Sequence, residues 1–331
     1  MSAEPIAARV YRGTSIEAEH AASVAVVNAR GELTHAFGDP ERSFALRSAT
    51  KPFQAIPLVV SGAVDAFGLD QRELAVACAS HSGSDRHVEV VRGLLARAGA
   101  GPEALRCGSH LPFELRRRNE LPKHGEDRDP LRHNCSGKHA GFLLVTRHVG
   151  EPLETYLEPE SAVQRLARAA VADACELSPD ELATAVDGCS APTFACSLVA
   201  LARGFKNLAA ANAADPERAR ALERVRDAML AEPWFVSGDG RFDYDLARSF
   251  PMNVVNKSGA EAIVALGFRD PPLGIVVKVH DGGERALAPI TVAVLRELGL
   301  VDDIARFPLL ATHERPPVTN HRKLSTGEIV A

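Results

Sequence analysis

Arg47-Ser48-Ala49-Thr50-Lys51-Pro52-Phe53-Gln54 marks the point where the chain stops reading as strand and starts reading as helix. Upstream, the apolar run 23–27 is followed by Asn28-Ala29-Arg30-Gly31 and then by 33–37, which predicts a hairpin with glycine in its turn. Pro52 is compatible with the first turn of a helix opening near Ser48, because its missing N–H is no loss there. Phe53, Ile56, Pro57 and Val60 continue at helical spacing. Farther along, Ser84 reads as the cap of a helix over 85–98 that Gly99 stops. Helical patterns recur at 137–148, 160–175, 192–203 and 216–231, and the stretch 106–134 reads as a long loop. Strand character returns at 260–266 and 273–280, and a closing helix follows at 287–298. Strands at both ends of the chain pair most simply in one antiparallel sheet. The fold class is therefore α+β: an antiparallel sheet flanked by helices, with an inserted helical subdomain. The expected division is a single catalytic unit over 1–331, with the sheet built from 1–45 and 246–331 and the helical part from 46–245.

Composition narrows the function. Apolar residues make up 46% and charged residues 24%, with a formal net charge of -5, as in a soluble globular protein. Basic residues are scattered and aromatics are few, which speaks against a nucleic-acid surface. Arg116-Arg117-Arg118 is the one basic run and reads as a solvated face. No signal peptide and no stretch of about 18 uncharged apolar residues is evident, so the expected location is cytoplasmic, away from membranes. The six cysteines are then thiols or metal ligands rather than a disulfide framework.

Lysine usage points to chemistry. There are 7 Lys against 31 Arg. An amine is irreplaceable where it must lose a proton, because a guanidinium does not. Lys51, Lys138 and Lys257 sit in short polar motifs: Ser48-Ala49-Thr50-Lys51, Cys135-Ser136-Gly137-Lys138 and Lys257-Ser258-Gly259. One helical turn separates Ser48 from Lys51, so a neutral Lys51 is expected to take the Ser48 proton. That requires the lysine pKa to fall by roughly 3 units from about 10.4, through burial and a second ammonium, for which Lys257 is the candidate. Ser80, in Ser80-His81-Ser82-Gly83, is placed to relay a proton to the leaving group. Lys278 lies in an alternating strand and reads as solvent-facing.

Cys135 and Lys138 share the same one-turn spacing, and Cys189 lies in Asp187-Gly188-Cys189-Ser190-Ala191-Pro192. Two thiolates brought together would bind Zn²⁺, although a structural site normally has four ligands. The alternatives are small buried cysteines at helix starts, or a Cys135 nucleophile with His139 or His133 as base. Cys78, Cys107, Cys175 and Cys196 are assigned to packing.

The pairing of a Ser-x-x-Lys helix with a Lys-Ser-Gly strand resembles serine β-lactamases and penicillin-binding proteins. The Ser-Asp-Asn motif of those enzymes is missing. Five ordered motifs together, the segments at 47–54, 80–83, 134–139, 187–192 and 257–261, resemble the rhizobial-type, third-class L-asparaginase family over most of the chain. The resemblance implies a β-lactamase- and glutaminase-related fold and hydrolysis of L-asparagine by Ser48, Lys51, Ser80 and Lys257. It further implies substrate contacts from Arg47, Asp187 and His139, a Zn²⁺ site of Cys135, Lys138 and Cys189, and a homodimer. Rival readings are a Ser-Lys amidohydrolase for glutamine or a cyclic amide, a metallo-hydrolase, and a zinc-stabilised amino-acid-binding protein.

Overall fold

The computed structural model describes residues 5–331. Strands from the two ends of the chain form one sheet in the order Pro317–Thr319, Ser325–Val330, Ile6–Arg12, Ser15–Val27, Leu273–Val279, Ile263–Phe268, Val254–Gly259. Leu33–Phe37 pairs with Ser15–Val27 off this path, and every pairing is antiparallel. The class is α+β, with the sheet flanked by helices.

The central strands are largely apolar because both faces are covered. In Ser15–Val27, Val24 and Val26 join a core beneath the helix Glu284–Glu297, while Ala25 and Val27 join the core on the opposite face. Neighbouring strands split the same way. Ala265 and Val276 face one core, and Val264, Leu266, Ile275 and Val277 face the other. That alternation is the two-residue period of a strand, masked in composition because neither face is wet.

The helix Leu198–Ala210 lies against the strands on the face opposite Glu284–Glu297. Its backbone rests on a pair of glycines that sit opposite each other, Gly267 and Gly274. A Cβ at Gly267 would collide with the carbonyl oxygen of Phe205, and one at Gly274 with that of Ala202. The same core continues into the space among Lys51–Val60, Ser136–His148, Ala162–Ala174 and Pro216–Ala231.

Two expectations need correction. The stretch 192–203 is not one helix. Pro192–Ser197 is a strand between Ser43–Ala45 and Ala183–Val186, forming a second three-stranded sheet. The helix starts only at Leu198, where the Ser197 side chain accepts from Ala200 N–H at 3.2 Å. The β-compatible Thr193, Phe194 and Cys196 find partners far away in sequence, which periodicity cannot register. Lys278 is also not solvent-facing. It is buried, and its amine donates to Glu261 O at 2.6 Å and to Val279 O. The segment 106–134 is largely irregular, with a short helix at Phe113–Arg118 and two 3₁₀ turns. Among the described residues, no helix is long and apolar enough to cross a membrane.

Gly274→Ala should destabilise the protein by about 1–3 kcal/mol, since the added methyl must push the helix off the sheet. Urea unfolding at neutral pH checks this, and an unchanged midpoint would show that the helix does not rest there.

Candidate active site

Arg47–Thr50 forms a 3₁₀ turn that leads directly into the helix Lys51–Val60. Arg47 has φ +50°, a left-handed conformation that is costly for a long side chain and persists only if its surroundings impose it. They do so on three sides. Arg47 Nε donates to Asp187 Oδ1 at 2.5 Å, and Thr50 Oγ1 donates to Arg47 O at 3.0 Å. Gly259 presses on the same turn: a Cβ there would lie 2.7 Å from Leu46 O and 3.1 Å from Ala49 N. The turn presents Ser48 half-buried, with a hydroxyl that makes no hydrogen bond to any described residue.

Lys51 is fully buried. Its ammonium donates to Ala79 O at 2.6 Å, Ser80 Oγ at 3.0 Å and Asn134 O at 3.4 Å. The expected contact between Lys51 and Ser48 is therefore replaced by one between Lys51 and Ser80. The backbone keeps the one-turn relation, since Lys51 N–H donates to Ser48 O. The flexible side chain instead runs inward to where carbonyl oxygens are available.

Lys257 arrives from the opposite side on the strand Val254–Gly259 and is also fully buried. Its amine donates to Ser258 O at 2.7 Å and lies 3.6 Å from Asp243 Oδ2. Burial pushes the Lys257 pKa down to about 8; Asp243 opposes this, while Lys51 and Arg241 reinforce it. Asp243, from the helix Phe242–Ser249, also accepts from Ser258 Oγ at 2.6 Å and from Asn256 Nδ2 at 3.3 Å. Burial pushes its carboxyl up, but Lys257, Arg241 and Ser258 outweigh that and hold it below the ordinary carboxylate range. Sequence reasoning missed Asp243, and nothing in Arg241-Phe242-Asp243 marks it off from an ordinary acid in the first turn of a helix.

The segment carrying Ser80 is locked from behind. Gly83 N–H donates to His81 Nδ1 at 3.2 Å, which leaves the proton on Nε2, facing Ser136 Oγ at 2.9 Å. Ser136 Oγ in turn donates to Leu131 O at 2.8 Å. His81 stacks on His87 with ring centroids 4.9 Å apart, and His87 stacks on Trp234 at 4.4 Å. Burial pushes His81 well below the usual imidazole range and His87 down to about 4.

Cys135, Lys138, His139 and Cys189 are all buried and lie close together. Lys138 Nζ donates to Cys189 Sγ at 3.2 Å. The hydrogen bond from Cys189, helped by Lys51 and Lys138 against burial, holds the Cys135 thiol well below its ordinary pKa. The same hydrogen bond and burial raise Cys189. His139 Nδ1 meets Tyr156 Oη at 2.8 Å, and its Nε2 is buried without a hydrogen-bond partner. The geometry thus assembles the residues singled out for Zn²⁺. Among the described residues, no group of three or more His, Cys, Asp or Glu is placed to hold a metal, so a set built here must include the amine. Arg47 and Asp187, singled out for substrate, bind each other beside this cluster.

Residues 8–331 match the sequence model of a family of amide-hydrolysing enzymes. The chain belongs to the L-asparaginase II family. No curated protein matches it. Solved structures with a similar course of chain include a β-lactamase from Mycobacterium bovis, at 18% identity and TM-score 0.44, over 83% of this chain and 94% of that one. Mglu is similar at 15% identity and TM-score 0.40, over 85% of this chain and 67% of that one. An octameric penicillin-binding protein homologue from Pyrococcus abyssi gives 13% and 0.35, over 84% and 73%.

The depressed histidines predict an acid-labile fold. His87 stays neutral in the folded protein down to about pH 4 but takes up a proton near pH 6.5 once unfolded. Stability is then lost as pH falls from 6.5 towards 4, by about 3 kcal/mol from this residue alone. Urea midpoints measured across that range should fall with pH, and His87→Gln, which binds no proton, should flatten the slope.

Proposed function

We propose that this amidohydrolase cleaves L-asparagine to L-aspartate and ammonia through an ester on Ser48. The observation that carries the reading is the pair of buried amines, Lys257 with its pKa near 8 and Lys51 on the Ser80 hydroxyl, converging behind a turn that offers a free serine. Serine needs a base, and an amine with a pKa near the working pH is suited to the task. Lys257 is the better base for Ser48, because its strand packs on the Ser48 turn through Gly259. The Ser48 oxygen attacks the side-chain amide carbon while Lys257 takes the hydroxyl proton. Lys51, through Ser80, delivers a proton to the departing nitrogen, which leaves as ammonia. Water then adds to the β-aspartyl ester, the Ser48–carbon bond breaks, and Ser48 recovers its proton.

Arg47, Asp187 and the buried His139 supply one cation, one anion and a ring nitrogen beside the cysteine cluster, which suits the carboxylate and amine of an amino acid. Zn²⁺ is the metal that two thiolates and an amine would favour, with Cys135, Lys138 and Cys189 as ligands. When bound, it would supply a fixed positive charge for positioning the substrate. The low pKa of the Cys135 thiol fits such a group, and Lys138 would have to give up its proton to join it. By the family resemblance we also read the protein as a homodimer. A second reading is a metallo-hydrolase, for which Cys135, Lys138 and Cys189 would hold the metal and the metal would supply the charge that activates water.

Ammonia release from L-asparagine separates the two readings. Ser48→Ala should lower turnover by at least about 10³-fold. Activity that survives this change but disappears with a chelator would transfer the nucleophile to the metal. A pH profile tests the base independently. kcat/KM should rise with an inflection near pH 8 as Lys257 loses its proton. Asp243 favours the charged amine, so Asp243→Asn should move that inflection to lower pH. A shift to higher pH, or none, would remove Lys257 from the role.

A further inference from the structure

Beside the amide site lies a concave surface rich in arginine. A cavity of about 330 Å³ opens between the helix Phe113–Arg118 and the end of the strand Val254–Gly259. Arg116, Arg117 and Arg241 line it. None of the three has a carboxylate within ion-pair distance among the described residues, whereas the adjacent Arg118 pairs with Glu114 at 2.7 Å. They are nevertheless held in place. Arg241 lies over the Phe113 ring at 4.4 Å and donates from Nε to Ser237 Oγ at 3.1 Å, and Arg116 approaches the same ring at 5.4 Å. Arg117 runs along the backbone at Gly240, where a Cβ would meet its Cδ at 2.8 Å.

Two acids also line the cavity. Asp243 is shared among Lys257, Ser258 and Arg241, and Glu284, which also acts on Arg241, is exposed. Three cations therefore face one engaged and one solvated anion. A guanidinium that stacks on an aromatic ring keeps its edge N–H groups free for a planar or tetrahedral oxyanion.

We propose that this cavity binds a small multivalent oxyanion, of phosphate or dicarboxylate type, beside the Ser48 amide site, with which it shares the wall formed by Asp243, Ser258 and Gly259. The Arg241 side supplies the pre-oriented donor. Arg116 and Arg117 close over the ligand from the short helix, and Ser258 offers the inner wall.

Calorimetric titration of the whole protein, first with inorganic phosphate and then with succinate, tests this without reference to turnover. The wild type should bind at least one of them saturably and one-to-one, and more weakly as salt rises. Arg116→Ala/Arg117→Ala, both on an exposed helix, should weaken that binding at least tenfold while leaving asparagine turnover in anion-free buffer unchanged. Binding of phosphate alone would make the ligand a phosphate group, and binding of succinate alone a dicarboxylate. Absence of saturable binding of either, or equal binding by the double variant, would overturn the proposal. Loss of asparagine turnover in the wild type would refute the hydrolase reading but would not touch this one.

Discussion

Two amines buried in the interior, with a single carboxylate that meets only one of them, Lys257, are the constraint around which the site is built. An unpaired ammonium away from water costs several kcal/mol unless it is hydrogen-bonded or gives up its proton. Lys51 is served by two backbone carbonyls and a serine, from the end of the helix Gln71–Ala77 and the turn before Ser136. Lys257 has a single carbonyl and shares Asp243 with Ser258. Burial is what brings the Lys257 pKa down to about 8, and Asp243 opposes it only in part. The motifs at 80–83 and 134–139 are bound to each other because both deliver oxygen atoms to the same ammonium; His81 N–H donates to Asn134 O at 3.2 Å.

The sequence conveyed the neighbourhood better than the partners. Lysine scarcity and the spacing at 48–51 and 257–259 pointed to residues that meet in space, and the helix Pro216–Ala231 was legible to the residue because Asp215 caps it by accepting from Glu217 and Arg218. Which hydroxyl Lys51 touches was not legible, because a four-carbon stem can follow any of several directions from one backbone position. Lys278 was misjudged for a different reason. Alternation assigns a face, but both faces of this sheet are covered, so no face meant solvent. The strand at Pro192–Ser197 depends on partners about 150 residues upstream and on Ala183–Val186 just before it, and a local window sees only an apolar run that flows into a helix. Asp243 has no local signature at all: its importance comes from the lysine opposite it.

The cysteine cluster shows a second way of storing charge. Cys135 and Cys189 share a hydrogen bond, so one thiol loses its proton readily while the other holds on to it, and Lys138 sits against the pair. The lowered Cys135 thiol and the raised Lys138 amine favour a thiolate beside an ammonium, which offset each other's charge. This explains how such a soft and reactive group of atoms can be accommodated within the packed interior.

The glycine pair under the helix Leu198–Ala210 has a mechanical meaning. Where backbone rests on backbone, the gap between layers is set by peptide atoms and not by side-chain volume. Substitutions elsewhere in the two cores can tilt the helix about this fulcrum, but they cannot change its height above the sheet. Relative motion of the layers is thereby limited to rocking. The strand bearing Lys257 lies next to the one that contains Gly267, so it stays close to the pivot, where displacement is smallest.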